Sequence, residues 1–235
     1  MKYDPTIHHR RSIRLPEYDY SSVGAYFVTI CSLNRACLLE DPVIPGIILD
    51  VWQALPGWFP TIELDDFVLM PNHVHFIVWL QSNVRATPVV AQYNVGATLT
   101  VAQAAGASPA PTDWIVPRPG KVNLHPTLGE VVGTFKSVVF TVYQDWLEAH
   151  QVNRRAKIWQ KNYYEHVIRH DTELNAIRQY IRDNPRRWAE DRDNLDNRKR
   201  LPPPSSAEDY LEDIEQLSAA RFNARGSHDA PSSRT

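Results

Sequence analysis

His73 and His75 are separated by one apolar residue inside the run Met70–Trp79. Alternate side chains of a β-strand share a face. The two imidazoles should therefore project together, about 7 Å apart along the strand, close enough to hold one divalent ion between them. Val74, Phe76 and Val78 would point the other way, into a core. A metal-binding pair of this kind suits phosphate or carbonyl chemistry. The plainer alternative is two ordinary strand histidines. One alone would favour it, but two on one face of an apolar strand are costly to bury without partners.

A second group lies about a hundred residues further on. Leu174, Ile177 and Ile181 form an apolar stripe at helical spacing. At about 100° per residue, Tyr180 falls about 60° to one side of Ile177 and Asn184 about 20° from it. Four residues apart, Tyr180 and Asn184 stack on one face, the face turned towards the sheet. A phenol and an amide are thereby aimed at the layer that carries the histidines. Taken alone they would read as a core-edge tyrosine and a helix-end asparagine.

Cations interleave with aromatic rings in the segment before that helix: Arg154, Arg155, Lys157, Trp159, Lys161, Tyr163, Tyr164 and Arg169. Cations meet a phosphate backbone and rings stack on bases, so this stretch suits single-stranded nucleic acid. Arg10, Arg11 and Arg14 form a basic arm over residues 1–20, either merely solvated or a further phosphate contact. The formal net charge of −2 hides this distribution, because residues 40–66 carry six acidic groups and no Lys or Arg, and the tail after Ala207 is acidic again.

The elements that must position these residues follow from pattern. Residues 25–31 are β-branched and aromatic and read as a first strand. Residues 43–59 suit a helix closed by Pro56, and 66–70 a second strand. Pro71-Asn72 turns the chain into a third strand, 73–80, so the histidines begin the second arm of a hairpin. Thr127 caps a helix over 127–146. A fourth strand region lies within 157–169, and Asp171 caps a last helix over 172–184, closed by Asn184-Pro185. This order predicts an α+β fold: a ferredoxin-like split βαβ sandwich, one antiparallel sheet with helices on one face.

Residues 82–126 are rich in Ala, Thr, Pro and Val and contain an internal echo. Arg85–Gln92 and Gly96–Gln103 share Ala, Thr, Val, Ala and Gln in register, and Gly106–Ala110 is a truncated third copy. This composition predicts a mobile insertion. Residues 201–206 read as a Pro-rich linker, and the segment to 235 as an acidic, disordered tail with a short helix at about 207–220. The catalytic domain would thus span 21–200. Two cysteines give no disulfide framework, and no apolar run is long enough for a membrane span or signal core. The expectation is a soluble, cytoplasmic protein with no membrane partner.

At this point a family resemblance emerges. Met70-Pro-Asn-His-Val-His75 and Tyr180-Ile-Arg-Asp-Asn-Pro185 resemble motifs of the single-tyrosine HUH transposases (the IS200-like group), in their REP-associated tyrosine transposase branch. His9–Arg14, Tyr26–Thr29, Phe135-Lys136-Ser137, Trp159-Gln160 and Tyr163–Arg169 also look like that family, so the resemblance covers most of residues 8–188. The insertion and the tail depart from it. The resemblance implies the HUH endonuclease fold, with Mg²⁺ or Mn²⁺ held by His73, His75 and Asn184. Tyr180 would be the nucleophile that forms a 5′-phosphotyrosine, and Tyr163 and Tyr164 its rivals. It implies a metal-dependent endonuclease and strand transferase that acts on single-stranded or hairpin DNA, as monomer or homodimer. Arg10, Arg11, Arg14, Lys136, Arg154, Arg155, Lys157, Trp159, Lys161 and Arg169 would contact DNA.

Two other readings compete. A domesticated protein could bind DNA or RNA hairpins without cutting, but binding alone does not require the His/His/Tyr/Asn set. A metal-dependent hydrolase could use His73 and His75 with an activated water, but a clear carboxylate ligand or general base is missing from the motifs.

Overall fold

The computed structural model describes residues 17–83, 114–197 and 209–216. Its four strands are β1 (Gly24–Cys31), β2 (Ile62–Leu69), β3 (His73–Leu80) and β4 (Tyr164–Ile168). They form one antiparallel sheet in the order β2-β3-β1-β4. Helix α1 (Ile44–Trp58) joins β1 to β2, and α2 (Leu128–Ala149) precedes β4. Helix α3 (Asp171–Asp183) follows β4, and residues 209–216 form a further helix, α4. This is the expected α+β split βαβ sandwich, with the histidine strand in the interior of the sheet.

Strand periodicity divides the apolar residues into two cores. Val74, Phe76 and Val78 join Tyr26, Val28 and Ile30 on one face, under Ile48, Val51 and Trp52 of α1 and Val131, Val132 and Phe135 of α2. Trp52 anchors this layer, its ring 4.7 Å from that of Phe76. Ala25, Phe27, Val68 and Ile77 lie on the opposite face, under Leu174, Ile177 and Ile181 of α3 and Tyr210 and Ile214 of α4. Helices therefore cover both faces rather than one. The face that carries the histidines is the less apolar of the two, with Thr29, His73 and His75 among its buried residues, and α3 and α4 remove it from water.

Several local expectations shift. β2 begins at Ile62, four residues earlier than the apolar run suggested, because a bulge between Leu64 and Phe67 carries the pairing past Asp65 and Asp66. β4 is limited to Tyr164–Ile168. Pro56 lies inside the last turn of α1, which runs on to Trp58. Thr127 does cap α2, in a reciprocal capping box with Glu130. On α3, however, the capping position is His170, with no side-chain cap, and Asp171 lies in the first turn, where its charge complements the helix dipole.

The echo copies, residues 84–113, lie outside the described residues, as do Arg10, Arg11 and Arg14. The end of the expected insertion is packed against the protein: Trp114 Nε1 donates to Asp50 Oδ2 (2.8 Å), and its indole lies where a Cβ on Gly46 would sit, 2.7 Å away. The acidic tail also needs correction over 209–216, where Tyr210 and Ile214 are buried on the sheet. Among the described residues, no helix is long and apolar enough to cross a membrane.

Candidate metal and nucleophile site

The hairpin holds the site together. Met70 N–H donates to the His73 carbonyl (2.8 Å) across Pro71-Asn72, which starts β3 at His73. His73 and His75 pair with Cys31 and Thr29 of β1, so both lie on an inner strand. Both are fully buried, their ring centroids 4.4 Å apart.

Asn72 determines which nitrogen of His73 is free. Its side-chain N–H groups donate to the Arg35 carbonyl (2.9 Å) and the Asp193 carbonyl (2.8 Å). Its Oδ1 then faces His73 Nδ1 at 2.8 Å. An amide oxygen only accepts, so Nδ1 carries the proton and Nε2 presents a lone pair. His75 Nδ1 is held 2.8 Å from Thr29 Oγ1, a hydroxyl that can either donate or accept. Among the described residues, His73 Nε2, His75 Nε2 and Asn184 Oδ1 are buried with no hydrogen-bond partner. Three orphaned polar atoms would cost about 1–3 kcal/mol each if they met nothing. Two imidazole nitrogens and an amide oxygen, each held by second contacts or by the fold, fit a divalent ion.

Burial, above all, keeps both histidines neutral: His73 is held well below the ordinary histidine range, with His75 and Arg35 adding repulsion, and His75 is pushed down to about 3 by burial and then Arg35. Neutral imidazole is the form that ligates metals.

Helix α3 delivers the second half. Its backbone stays helical through Asn184 and continues as a 3₁₀ stretch, Asn184–Glu190. Tyr180 and Asn184 therefore keep their common face. The Tyr180 ring lies 5.3 Å from that of His75 and edge-on to Phe27 at 6.3 Å. Burial, then the carboxylates Asp191 and Asp213, push the phenol well above its ordinary pKa, and a hydrogen bond from Asn184 opposes them. A bidentate contact fixes the helix. Arg178 donates to both oxygens of Asp65 (3.0 and 2.6 Å), which also accepts from Trp79 Nε1 (2.8 Å), and Arg182 pairs with Asp66. Both carboxylates stand at the β2 bulge.

A cavity of about 280 Å³ opens beside this pair, lined by Tyr180, Asn184, Arg187, Asp191, Arg192 and Asp213 among others. Sequence reasoning singled out only Tyr180 and Asn184 of these. It also missed Thr29, Asn72, Asp193 and Tyr210. Asp193 pairs with Arg35, whose backbone, like that of Asn34, adopts a left-handed conformation (φ 54° and 58°). Tyr210 donates to Asp193 Oδ2 (2.6 Å) and sets its ring 5.4 Å from that of His75.

The expected DNA contacts divide. Arg155, Lys157, Lys161 and Arg169 are exposed. Arg154 is exposed but paired with Asp41. Two expectations are corrected. Trp159 is a core residue, 7% exposed, its ring 6.0 Å from that of Phe135, so it offers no stacking surface. Lys136 turns its ammonium onto the backbone carbonyls of Gln160, Lys161 and Asn162 (2.6, 3.2 and 3.4 Å), which ties α2 to that loop. Of the rival tyrosines, Tyr163 packs on the α1–α2 core, whereas Tyr164 lies on the site side, its ring 5.6 Å from that of Tyr210 and its hydroxyl accepting from Arg35 (3.3 Å).

No protein-family model matches the chain. An uncharacterized protein of Haemophilus influenzae is 33% identical over 198 residues, which cover 81% of this chain and 96% of that protein. Among solved structures, a REP-associated tyrosine transposase bound to a REP hairpin aligns over 74% of this chain and 73% of that one, at 18% identity and a TM-score of 0.38. A candidate transposase of Deinococcus radiodurans aligns over 72% and 95%, at 16% identity and a TM-score of 0.32.

Proposed function

From its motifs and site we propose that this chain, which belongs to the same family as the Haemophilus influenzae protein, is a single-tyrosine HUH transposase of the REP-associated branch. The activity is cleavage and rejoining of single-stranded DNA at hairpin-forming sequences. The observation that carries this reading is the set of buried polar atoms without hydrogen-bond partners, His73 Nε2, His75 Nε2 and Asn184 Oδ1, with the Tyr180 ring 5.3 Å from that of His75. A non-cleaving hairpin binder has no use for that set.

His73, His75 and Asn184 would hold Mg²⁺ or Mn²⁺, which supplies polarisation of a phosphate oxygen. Tyr180 attacks the phosphorus of the scissile linkage. The Tyr180 Oη–P bond forms, the P–O3′ bond breaks, and the departing 3′-oxygen takes up a proton. The phosphoryl group stays on Tyr180 as a 5′-phosphotyrosine, so the strand is rejoined by reversal with another 3′-OH and no nucleotide cofactor. Because burial keeps the phenol protonated, its proton must leave as the bond forms. Arg187 and Arg192 line the same cavity, each already paired, Arg187 with Glu190 and Arg192 with Asp209 and Asp213, so a phosphate there would have to compete with those carboxylates. The exposed cations Arg155, Lys157, Lys161 and Arg169 extend the backbone contact.

The test is incubation with a single-stranded hairpin oligonucleotide and Mn²⁺. Cleavage with an SDS-resistant protein–DNA adduct is the expected result. Binding without cleavage would return the protein to the hairpin-binder class, and cleavage without an adduct would make it a hydrolase.

A further inference from the structure

The turn after the 3₁₀ stretch brings two carboxylates to His73, and their surroundings separate their roles. The ligand-capable atoms of His73, Asp191 and Asp193 all lie within 4.8 Å of one another. Asp193 Oδ2 is 4.0 Å from His73 Nδ1, but that nitrogen is bonded to Asn72, and Asp193 is itself engaged by Arg35 and the Tyr210 hydroxyl. Asp191 differs. Its Oδ1 accepts the Asp193 N–H (2.6 Å), which fixes the carboxylate. Its Oδ2 is 4.0 Å from His73 Nε2, the nitrogen that presents the lone pair, and its side chain is 7% exposed beside Tyr180 and Asn184.

Two acceptors at 4.0 Å are too far apart for a hydrogen bond. The spacing does fit two ligands of one hard cation: at bond lengths of about 2.1 Å, neighbouring ligand atoms stand about 3 Å apart and opposite ones about 4.2 Å. His73 Nε2, His75 Nε2 and Asn184 Oδ1 are all neutral donors, so a carboxylate here supplies the anion the set otherwise lacks.

We propose that Asp191 is an anionic ligand of the divalent ion held at His73, and that Asp193 is its support rather than a ligand. This rests on the metal site of the proposed function and deepens it. It also makes the stretch after α3 part of the metal centre.

Mn²⁺ titration of the full chain by calorimetry tests it, without reference to cleavage. Asp191→Asn keeps the shape and the bond to the Asp193 N–H but removes the charge. Its Mn²⁺ affinity should fall by about tenfold or more, with an unchanged circular dichroism spectrum. Asp191→Cys should gain affinity for Cd²⁺ relative to Mn²⁺ against the wild-type ratio, since a thiolate favours the softer ion. That gain does not depend on the Asn variant folding. Wild-type Mn²⁺ affinity in folded Asp191→Asn, or an unchanged Cd²⁺/Mn²⁺ ratio in Asp191→Cys, overturns the assignment. If the wild type binds no Mn²⁺, the metal site of the proposed function fails first. If His73→Ala abolishes binding while Asp191→Asn preserves it, only the carboxylate ligand fails.

Discussion

Tyr210 and Tyr180 flank His75 at nearly equal distances, their ring centroids 5.4 and 5.3 Å from its own. Their hydroxyls meet different groups. That of Tyr210 is committed to Asp193, whereas Tyr180 lines the cavity with Asn184 and Asp191. Burial alone does not distinguish a nucleophile here; access to the cavity does.

Tyr180→Phe should therefore abolish cleavage and the covalent adduct, a loss of about 10⁴-fold or more, with hairpin affinity nearly unchanged in a gel-shift titration. Tyr210→Phe and Tyr164→Phe should still form the adduct. An adduct on Tyr180→Phe that disappears in Tyr164→Phe would transfer the role to Tyr164, whose hydroxyl already accepts a bond from Arg35.

Asn72 is fully buried and makes three hydrogen bonds. Asn72→Ala should destabilise the fold by about 3 kcal/mol, at about 1 kcal/mol per bond, measured by urea denaturation. It also frees His73 to change tautomer. Mn²⁺ affinity of the folded variant should fall by about tenfold to a hundredfold, and wild-type affinity would disprove the orienting role.

The Asp65–Arg178 contact should show a coupling of about 1 kcal/mol in a double-mutant cycle, more than a solvated pair, because it is bidentate and mostly buried. Disrupting it should also slow cleavage, since Arg178 is two residues from Tyr180 on α3. A coupling near zero, with unchanged cleavage, would make it an ordinary surface pair.

Acid should unfold the metal-free protein through the histidines. An unfolded histidine takes up a proton near pH 6.5, whereas folded His73 and His75 resist protonation, His75 to about 3. As pH falls below about 6.5 the unfolded chain binds the extra protons, and stability drops. Asp191, held at about 7 mainly by burial, works the other way: its contribution is lost as pH rises from about 4 to 7. Asp66 and Asp213, also raised by burial, add to Asp191, but less strongly, and the two histidines are displaced furthest. The urea midpoint in EDTA should therefore fall from pH 7 to pH 4.5, and His75→Phe should flatten the fall. An unchanged slope in that variant would contradict the assignment.

What could be read from the sequence was what strand and helix periods encode. His73 and His75 share a face because their spacing is two, and Tyr180 and Asn184 because theirs is four. Thr127 as a cap and Pro71-Asn72 as a turn are local signals of the same kind. The remainder depends on distant pairings. Thr29 reaches His75 across 46 positions, and Asn72 reaches Asp193 across 121. Tyr210 sits in a segment whose acidic composition suggests solvent, yet two buried side chains and the pairing of Asp209 and Asp213 with Arg192 dock it. Trp159 reads as a stacking ring because composition registers a ring and not its orientation, and the resemblance that implied a DNA contact for Lys136 does not register that its ammonium turns onto backbone carbonyls.

The bulge in β2 has a consequence for which mutations this gene can tolerate. Leu64 pairs with Val78 and Phe67 with Phe76, three steps on one strand against two on the other. The extra residue reverses the parity of β2, so that Phe67 and Leu69 stay on the α1–α2 side while Asp65 and Asp66 reach the arginines of α3. An in-frame loss of one codon at 65 or 66 would restore a regular ladder, with Leu64 still opposite Val78, Phe67 still opposite Phe76 and the remaining aspartate opposite Ile77. Every core side chain would keep its face, and one anchor of α3 would be lost. A three-nucleotide deletion here should thus be tolerated by the sheet and felt at the helix that carries Tyr180.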